Sequence, residues 1–325
     1  MATVSIGVAT PHAPQLRLPL EGWYALRAKD ETDKRFSYAE LLARAKPDID
    51  RELTPEVYRE RYAAIQHGRQ ALGETLAAER PDVIVVVGDD QLEQFHYELM
   101  PMFCVYYGET LRVGGSSGHG HGSQTWNAPE LAAIQQRAAS QESERPAAPD
   151  LAMKMISSLR EDGFDIACSN ALRKERSVGH AFAFLYDHLL PGCDIPVLPI
   201  MINTFFPPNQ PSPARCYALG QAVRRAVEGW DADKRVALVA SGGLSHTIID
   251  EEIDHMTLDA MLEKDAAAIC ALPTDRLNLG TSEIRNWIAL AGAMEAEEMQ
   301  LIGDYVPCYR SPAGTGCGFA FAYWK

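Results

Sequence analysis

The run Val83-Ile84-Val85-Val86-Val87 is apolar at every position and closes on Gly88-Asp89-Asp90-Gln91. Alternating polarity would mark a strand with one wet face. Unbroken apolarity marks a short strand covered on both faces, the condition of parallel strands between helical layers. Pro196–Ile202 and Val236–Ala240 repeat the pattern, and Val4–Ala9 is a β-rich stretch broken by Thr10-Pro11. Between these runs lie helical segments. Thr54-Pro55-Glu56 predicts a helix start, with Thr54 as N-cap and Pro55 at the first helical position, continuing to Ala78. Asp150–Asp162 and Pro213–Glu228 predict two more helices. Strands alternating with helices imply an α/β fold, a layered and mostly parallel central sheet flanked by helices. The polar stretch from about 20 to 60 reads as a helical insertion over the sheet, and the Gly/Ser/His segment at about 114–123 as a flexible surface loop. No internal repeat and no long Pro/Gly/Ser linker divides the chain, so residues 1–325 are expected to form one domain.

Composition removes several classes of function. The chain is 46% hydrophobic and 23% charged, with a formal charge of −14. A body this acidic repels nucleic acid and anionic membrane surfaces. Seven cysteines are scattered without CxxC pairs, which points away from a disulfide framework or a zinc ribbon. No run of 18 apolar residues is present, and no basic leader precedes the first strand. The expectation is a reduced cytoplasmic protein.

Three segments carry chemistry. His12 follows Pro11 at the end of the first strand. His246 ends Ser241-Gly242-Gly243-Leu244-Ser245-His246, where two glycines allow a tight turn and close approach to a ligand. Glu283 follows Gly280-Thr281-Ser282 and opens a helical pattern from Ile284 to Met294. Each has a plainer reading: a core histidine, a solvated turn, and a carboxylate facing a helix dipole. The Ser245-His246 pair does not make a hydrolase, since adjacent side chains rarely meet one reaction centre and no G-x-S-x-G elbow exists. His180 in Ser177-Val178-Gly179-His180 is a weaker signal, and His67, His188 and His255 lie in helical contexts.

In order and sequence, these segments resemble the class III extradiol dioxygenases, the family of the protocatechuate 4,5-dioxygenase β subunit. The resemblance runs from Val4 to about residue 295, and the pattern is similar to that of the 3-O-methylgallate dioxygenase-like branch. It implies a non-haem Fe(II) enzyme that opens the ring of a catecholic or methoxylated dihydroxy aromatic acid with O2, commonly as a homodimer. In that pattern His12 is the first iron ligand and Glu283, in Glu-x-x-x-Trp, the carboxylate ligand. His246 is the acid/base, and an imidazole titrating near neutrality suits that task. His180 lines the pocket, and Asn203, Ser245 and Phe205 are expected to touch substrate.

One position departs from the family. Its second iron ligand is a histidine after Asn-Asp at the end of the second strand, and here Gln91 stands in that place. Gln91 could offer an amide oxygen, a weaker donor to Fe(II) than imidazole. Asp89, Asp90, Glu93 or His96 are alternative ligands, although consecutive strand residues face opposite ways, so Asp90 and Gln91 should not share an ion. The alternative function is a dioxygenase-fold protein without competent iron that binds a small molecule or a partner. A metal-dependent hydrolase or amidase is a third reading, for which no second metal cluster is visible in the sequence.

Overall fold

The computed structural model describes residues 1–114, 134, 141–173 and 176–325. The glycine-rich segment with His119 and His121 therefore lies, beyond Gly114, outside the described residues. Among the described residues eight strands make the main sheet, in the order β10-β13-β1-β8-β2-β7-β3-β6, the last being Ala167–Ser169. Its centre is β1 (Thr3–Thr10), β8 (Arg235–Ser241), β2 (Val83–Asp89) and β7 (Val197–Ile202), all parallel. The flanks are mixed. β3 (Phe103–Tyr106) runs antiparallel to β7, and β13 (Ala322–Trp324) runs antiparallel to β1 and to β10 (Met299–Leu301).

The unbroken apolar runs divide cleanly between two cores. Val83, Val85 and Val87 enter one cluster with Met155, Ala222, Trp287 and Leu290. Ile84 and Val86 enter the other with Tyr58, Ile65, Leu72 and Phe182. The helices Pro149–Glu161, Pro213–Glu228 and Ile284–Ala293 cover the first face, and Pro55–Ala78 covers the second. Each fully buried large aliphatic side chain contributes roughly 1.5–3 kcal/mol, so a strand apolar at every position is held from both sides. Thr54 accepts from Val57 N–H as the expected cap, and the helical insertion resolves into Glu21–Asp30, Tyr38–Ala43 and a 3₁₀ turn.

Because the four central strands are parallel, their carboxyl ends lie on one edge of the sheet, where open α/β sheets build their sites. Thr10, Asp89, Ile202 and Ser241 stand at that edge. A second, three-stranded sheet, β11 (Val306–Tyr309), β12 (Thr315–Phe319) and β9 (His246–Ile248), caps it. Pairing of Cys317 with His246 fixes the backbone of that histidine.

The helix behind the edge is seated by two close approaches. A Cβ on Gly220 would collide with the Ala289 carbonyl, and one on Gly292 with the Tyr217 carbonyl. The helices Pro213–Glu228 and Ile284–Ala293 thus cross almost backbone to backbone. Gly220→Ala should lower stability by about 1–3 kcal/mol, because overpacking at this crossing outweighs the helix-propensity gain of under about 1 kcal/mol. Urea unfolding checks it, and an unchanged or raised midpoint would refute the tight crossing.

Candidate metal centre

His12 follows Pro11 two residues beyond the end of β1 and is 2% exposed. Its Nδ1 lies 3.1 Å from Ser241 Oγ at the end of the adjacent β8. Its Nε2 is buried with no hydrogen-bond partner, although it sits 3.2 Å from Glu283 Oε2 and 3.8 Å from Asp89 Oδ1. Close approach without hydrogen-bond alignment is the disposition of two electron-pair donors aimed at a common point.

Glu283 is fully buried at the end of the 3₁₀ turn Leu279–Glu283. Its Oε1 accepts from Gln91 Nε2 at 2.9 Å and from His246 Nε2 at 3.0 Å. Its Oε2 accepts from Gly243 N–H at 3.1 Å. Gly242 makes that approach possible. Its φ is +114°, and a Cβ there would stand 2.6 Å from Glu283 Oε2 and 3.0 Å from His12 Cε1. The helix after Glu283 grips the same turn, with Trp287 Nε1 donating to Gly242 O at 2.6 Å and Asn286 Nδ2 to Ser241 O at 2.9 Å.

Asp89, fully buried, ends β2. Asp89 and Gln91 turn toward the centre and Asp90 away from it. Asp90 accepts the backbone N–H groups of Glu93, Gln94 and Phe95, and so shapes the loop. His180 begins the helix His180–Phe184, and its Nδ1 lies 3.0 Å from both oxygens of Glu93. Its Nε2 stands 4.0 Å from Asp89 Oδ2, and its ring meets that of His12 edge-on at 4.4 Å between centroids. One donor atom each from His12, Asp89, His180 and Glu283 lies within 4.8 Å of all the others. Bonds of about 2.0–2.2 Å from nitrogen and oxygen donors to a single ion fit that spacing.

Electrostatics divides these groups. Burial pushes the His12 imidazole down to about 4, leaving it neutral with a free lone pair. Burial would raise Glu283, but the facing His246 outweighs it and holds the carboxyl well below the usual range. Asp89 is pushed up to about 8 by burial and by the charge of Glu283. Burial would lower His180, but Glu93 outweighs it and raises the imidazole to about 9. Two carboxylates and two imidazoles in one water-poor corner suit a divalent cation, whose charge would become the largest local term.

The residues expected from sequence separate into two groups. His12, Glu283, His246, His180 and Gln91 converge. Gln91, the expected third ligand, turns its NH2 group to Glu283 and, at 3.4 Å, to Asp89 Oδ2. Two flanking acceptors set that orientation, so the amide oxygen is not what faces the carboxylates. Ser245 is fully buried and does not face the centre: its N–H and Oγ donate to Asp254 at 2.7 and 2.6 Å, and its Oγ accepts from Asp250 N–H. The expected substrate contact of Ser245 is therefore replaced by a structural one. Asn203 is likewise turned to its own loop, bonded to Phe206 O, Asn209 O and Phe206 N–H. Phe205 is half-buried and packs on Phe206 at 5.1 Å, outside the ligand cluster.

Glu93, an alternative ligand by sequence, instead orients His180 from behind. One participant has no sequence signal. Arg285, buried, donates to the carbonyls of Pro211, Thr204, Leu277 and Ser282 and so fastens the β7 exit loop to the Glu283 turn.

Fold and site together define an α/β protein with a cluster of histidines and carboxylates that could hold a metal at the carboxyl ends of parallel strands. The family model described as the catalytic LigB subunit of aromatic ring-opening dioxygenase matches residues 54–320, most of the chain. This chain belongs to that family. It is also similar to the 2,3-dihydroxyphenylpropionate/2,3-dihydroxicinnamic acid 1,2-dioxygenases of Escherichia coli strains K12 and SMS-3-5, 32% identical over 174 residues. That alignment takes in 53% of this chain and 46% of the relatives, so the chain spans less than half of their length.

Asp254 anchors the turn that presents His246, and burial pushes its carboxyl up to about 6 against the hydrogen bonds from Ser245 and Tyr305. A carboxyl whose folded pKa lies above its unfolded value favours the folded state at low pH, and that contribution is lost as pH rises through the folded pKa. Between pH 4 and 7 the parent should therefore lose about 2–3 kcal/mol of stability relative to Asp254→Asn, from a shift of about two units at about 1.4 kcal/mol each. Denaturant midpoints of both proteins across this range test it, and parallel curves would contradict it.

Proposed function

We propose that this chain is a non-haem Fe(II)-dependent extradiol dioxygenase acting on a catecholic or methoxylated dihydroxy aromatic acid. The observation that carries this reading is the convergence of three imidazole Nε2 atoms and two buried carboxylates, each imidazole Nδ1 being tied to the protein. That arrangement orients ligands and fixes tautomers at metal sites. Bound iron would hold a substrate hydroxyl and O2 side by side and carry electron density between them. Both oxygen atoms enter the product as the ring carbon–carbon bond breaks, so no external reductant is required. The Escherichia coli relatives are named for dihydroxylated aromatic acids, which supports this substrate class.

His12 and Glu283 are the residues proposed to hold the ion. His246 is the proposed acid/base. The Leu244 carbonyl accepts from its Nδ1–H at 3.0 Å, so the exchangeable proton sits on Nε2, 3.0 Å from Glu283. Burial opposes protonation there, but Glu283 raises the imidazole above its ordinary pKa, which suits a group that takes a phenolic proton and returns it. The exit loop of β7, carrying Phe205, forms the proposed wall for the aromatic ring.

Anaerobic loading with Fe(II) followed by oxygen uptake on a panel of catechols tests the activity. His12→Ala and Glu283→Ala should each lose the metal while keeping the fold, as read by metal analysis and circular dichroism. His246→Phe should keep it and slow turnover by roughly 10²–10⁴, the usual worth of general acid–base catalysis. Full iron occupancy in both alanine variants, or unaltered turnover in His246→Phe, would remove these roles. Iron retention without oxygen uptake on any catechol would favour a binding function.

A further inference from the structure

We propose that the metal centre of this chain is built from four protein donors, His12, Asp89, His180 and Glu283, with Gln91 as a positioning residue for Glu283. The proposal rests on the reading of a metal-dependent enzyme given above and assigns that site its ligands.

A histidine is expected at the end of β2, and the chain has glutamine there. Two neighbours fill the resulting gap. His180 mirrors His12 in its local chemistry. In each ring Nδ1 is held from behind, by Ser241 Oγ in His12 and by the Glu93 carboxylate in His180. In each, Nε2 faces the same corner. A carboxylate behind the distal nitrogen is the usual partner of a metal-bound imidazole, fixing its tautomer and strengthening it as a donor. Glu93 also accepts the His180 backbone N–H at 2.8 Å, so both the ring and the helix start are clamped by one carboxylate. Asp89 enters from the last position of the strand itself, two residues before Gln91, whose Nε2 lies 3.4 Å from it. Its two oxygens address the two histidines separately, Oδ1 toward His12 at 3.8 Å and Oδ2 toward His180 at 4.0 Å.

Independent support comes from His12 Nε2, which is buried, unpartnered and aimed into the space between these groups. Gln91 lies on the rim of that space and presents an N–H to Glu283, the contact of a residue that aims a ligand. The set holds two imidazoles and two carboxylates. It is harder than a centre with a single carboxylate, and such a donor set also accepts Mn(II).

Mn(II) is the probe for the test. Pulsed electron paramagnetic resonance of the Mn(II)-loaded parent, grown with ¹⁵N-histidine and with natural histidine, should count two coordinated imidazoles, falling to one in His180→Asn. Titration with Mn(II) under argon should show Asp89→Asn and His180→Asn each weakened by at least about 100-fold. Gln91→Met should be weakened by no more than about tenfold, the low end of the cost of losing an outer partner. A single imidazole in the parent overturns the assignment. So does parent-like affinity in either Asp89→Asn or His180→Asn, or a larger loss in Gln91→Met than in both. The parent spectrum requires no variant to fold, and no turnover enters the measurement. A protein that shows two imidazoles yet consumes no oxygen would refute the dioxygenase reading and leave the ligand assignment standing.

Discussion

A single buried carboxylate organises the working end of this sheet. An ionised group shut away from water costs several kcal/mol unless donors or counter-charges surround it. Glu283 meets that demand from three separate stretches of chain: Gln91 beyond β2, Gly243 beyond β8 and His246 at the start of β9. The strand ends are brought to one point because the charge needs them there. The helix that begins after Glu283 is in turn seated by the glycine crossing, and Arg285 ties the carboxylate's own turn to the exit of β7.

Much of the central fold is legible in the sequence because its strands are apolar at consecutive positions and its helices carry local start signals. Thr54-Pro55 and Ser212-Pro213 open helices where expected, and the caps are made by the hydroxyls of Thr54 and Ser212. The strands β10 to β13 are not legible in the same way. They are three to five residues long and include glycine and proline, and β12 and β13 join the rest of the fold through β9 and β1, far away in the chain.

The site divides along the same physical line. His12, His246 and Glu283 sit where a buried strand or a turn gives way to the next loop, strand or helix, and such breaks can be seen in one dimension. Asn203 and Ser245 occupy similar breaks, yet their polar atoms close their own loops, a choice made by neighbours the sequence does not order. Asp89 is visible only as one of four alternative ligands. It reads as the tail of a strand, and only the fold shows that it, and not Asp90, faces His12 and His180.

The hydrogen bonds on Glu283 also limit how it can bind an ion. Each carboxylate oxygen has two lone pairs. Those of Oε1 are both engaged, by Gln91 and His246, and one of those on Oε2 is engaged by Gly243. One remains, on Oε2, the oxygen nearer His12. Glu283 can therefore give a metal one oxygen and not two. A carboxylate restrained to single attachment leaves a coordination position that a chelating one would fill, and that position falls to ligands from outside the protein.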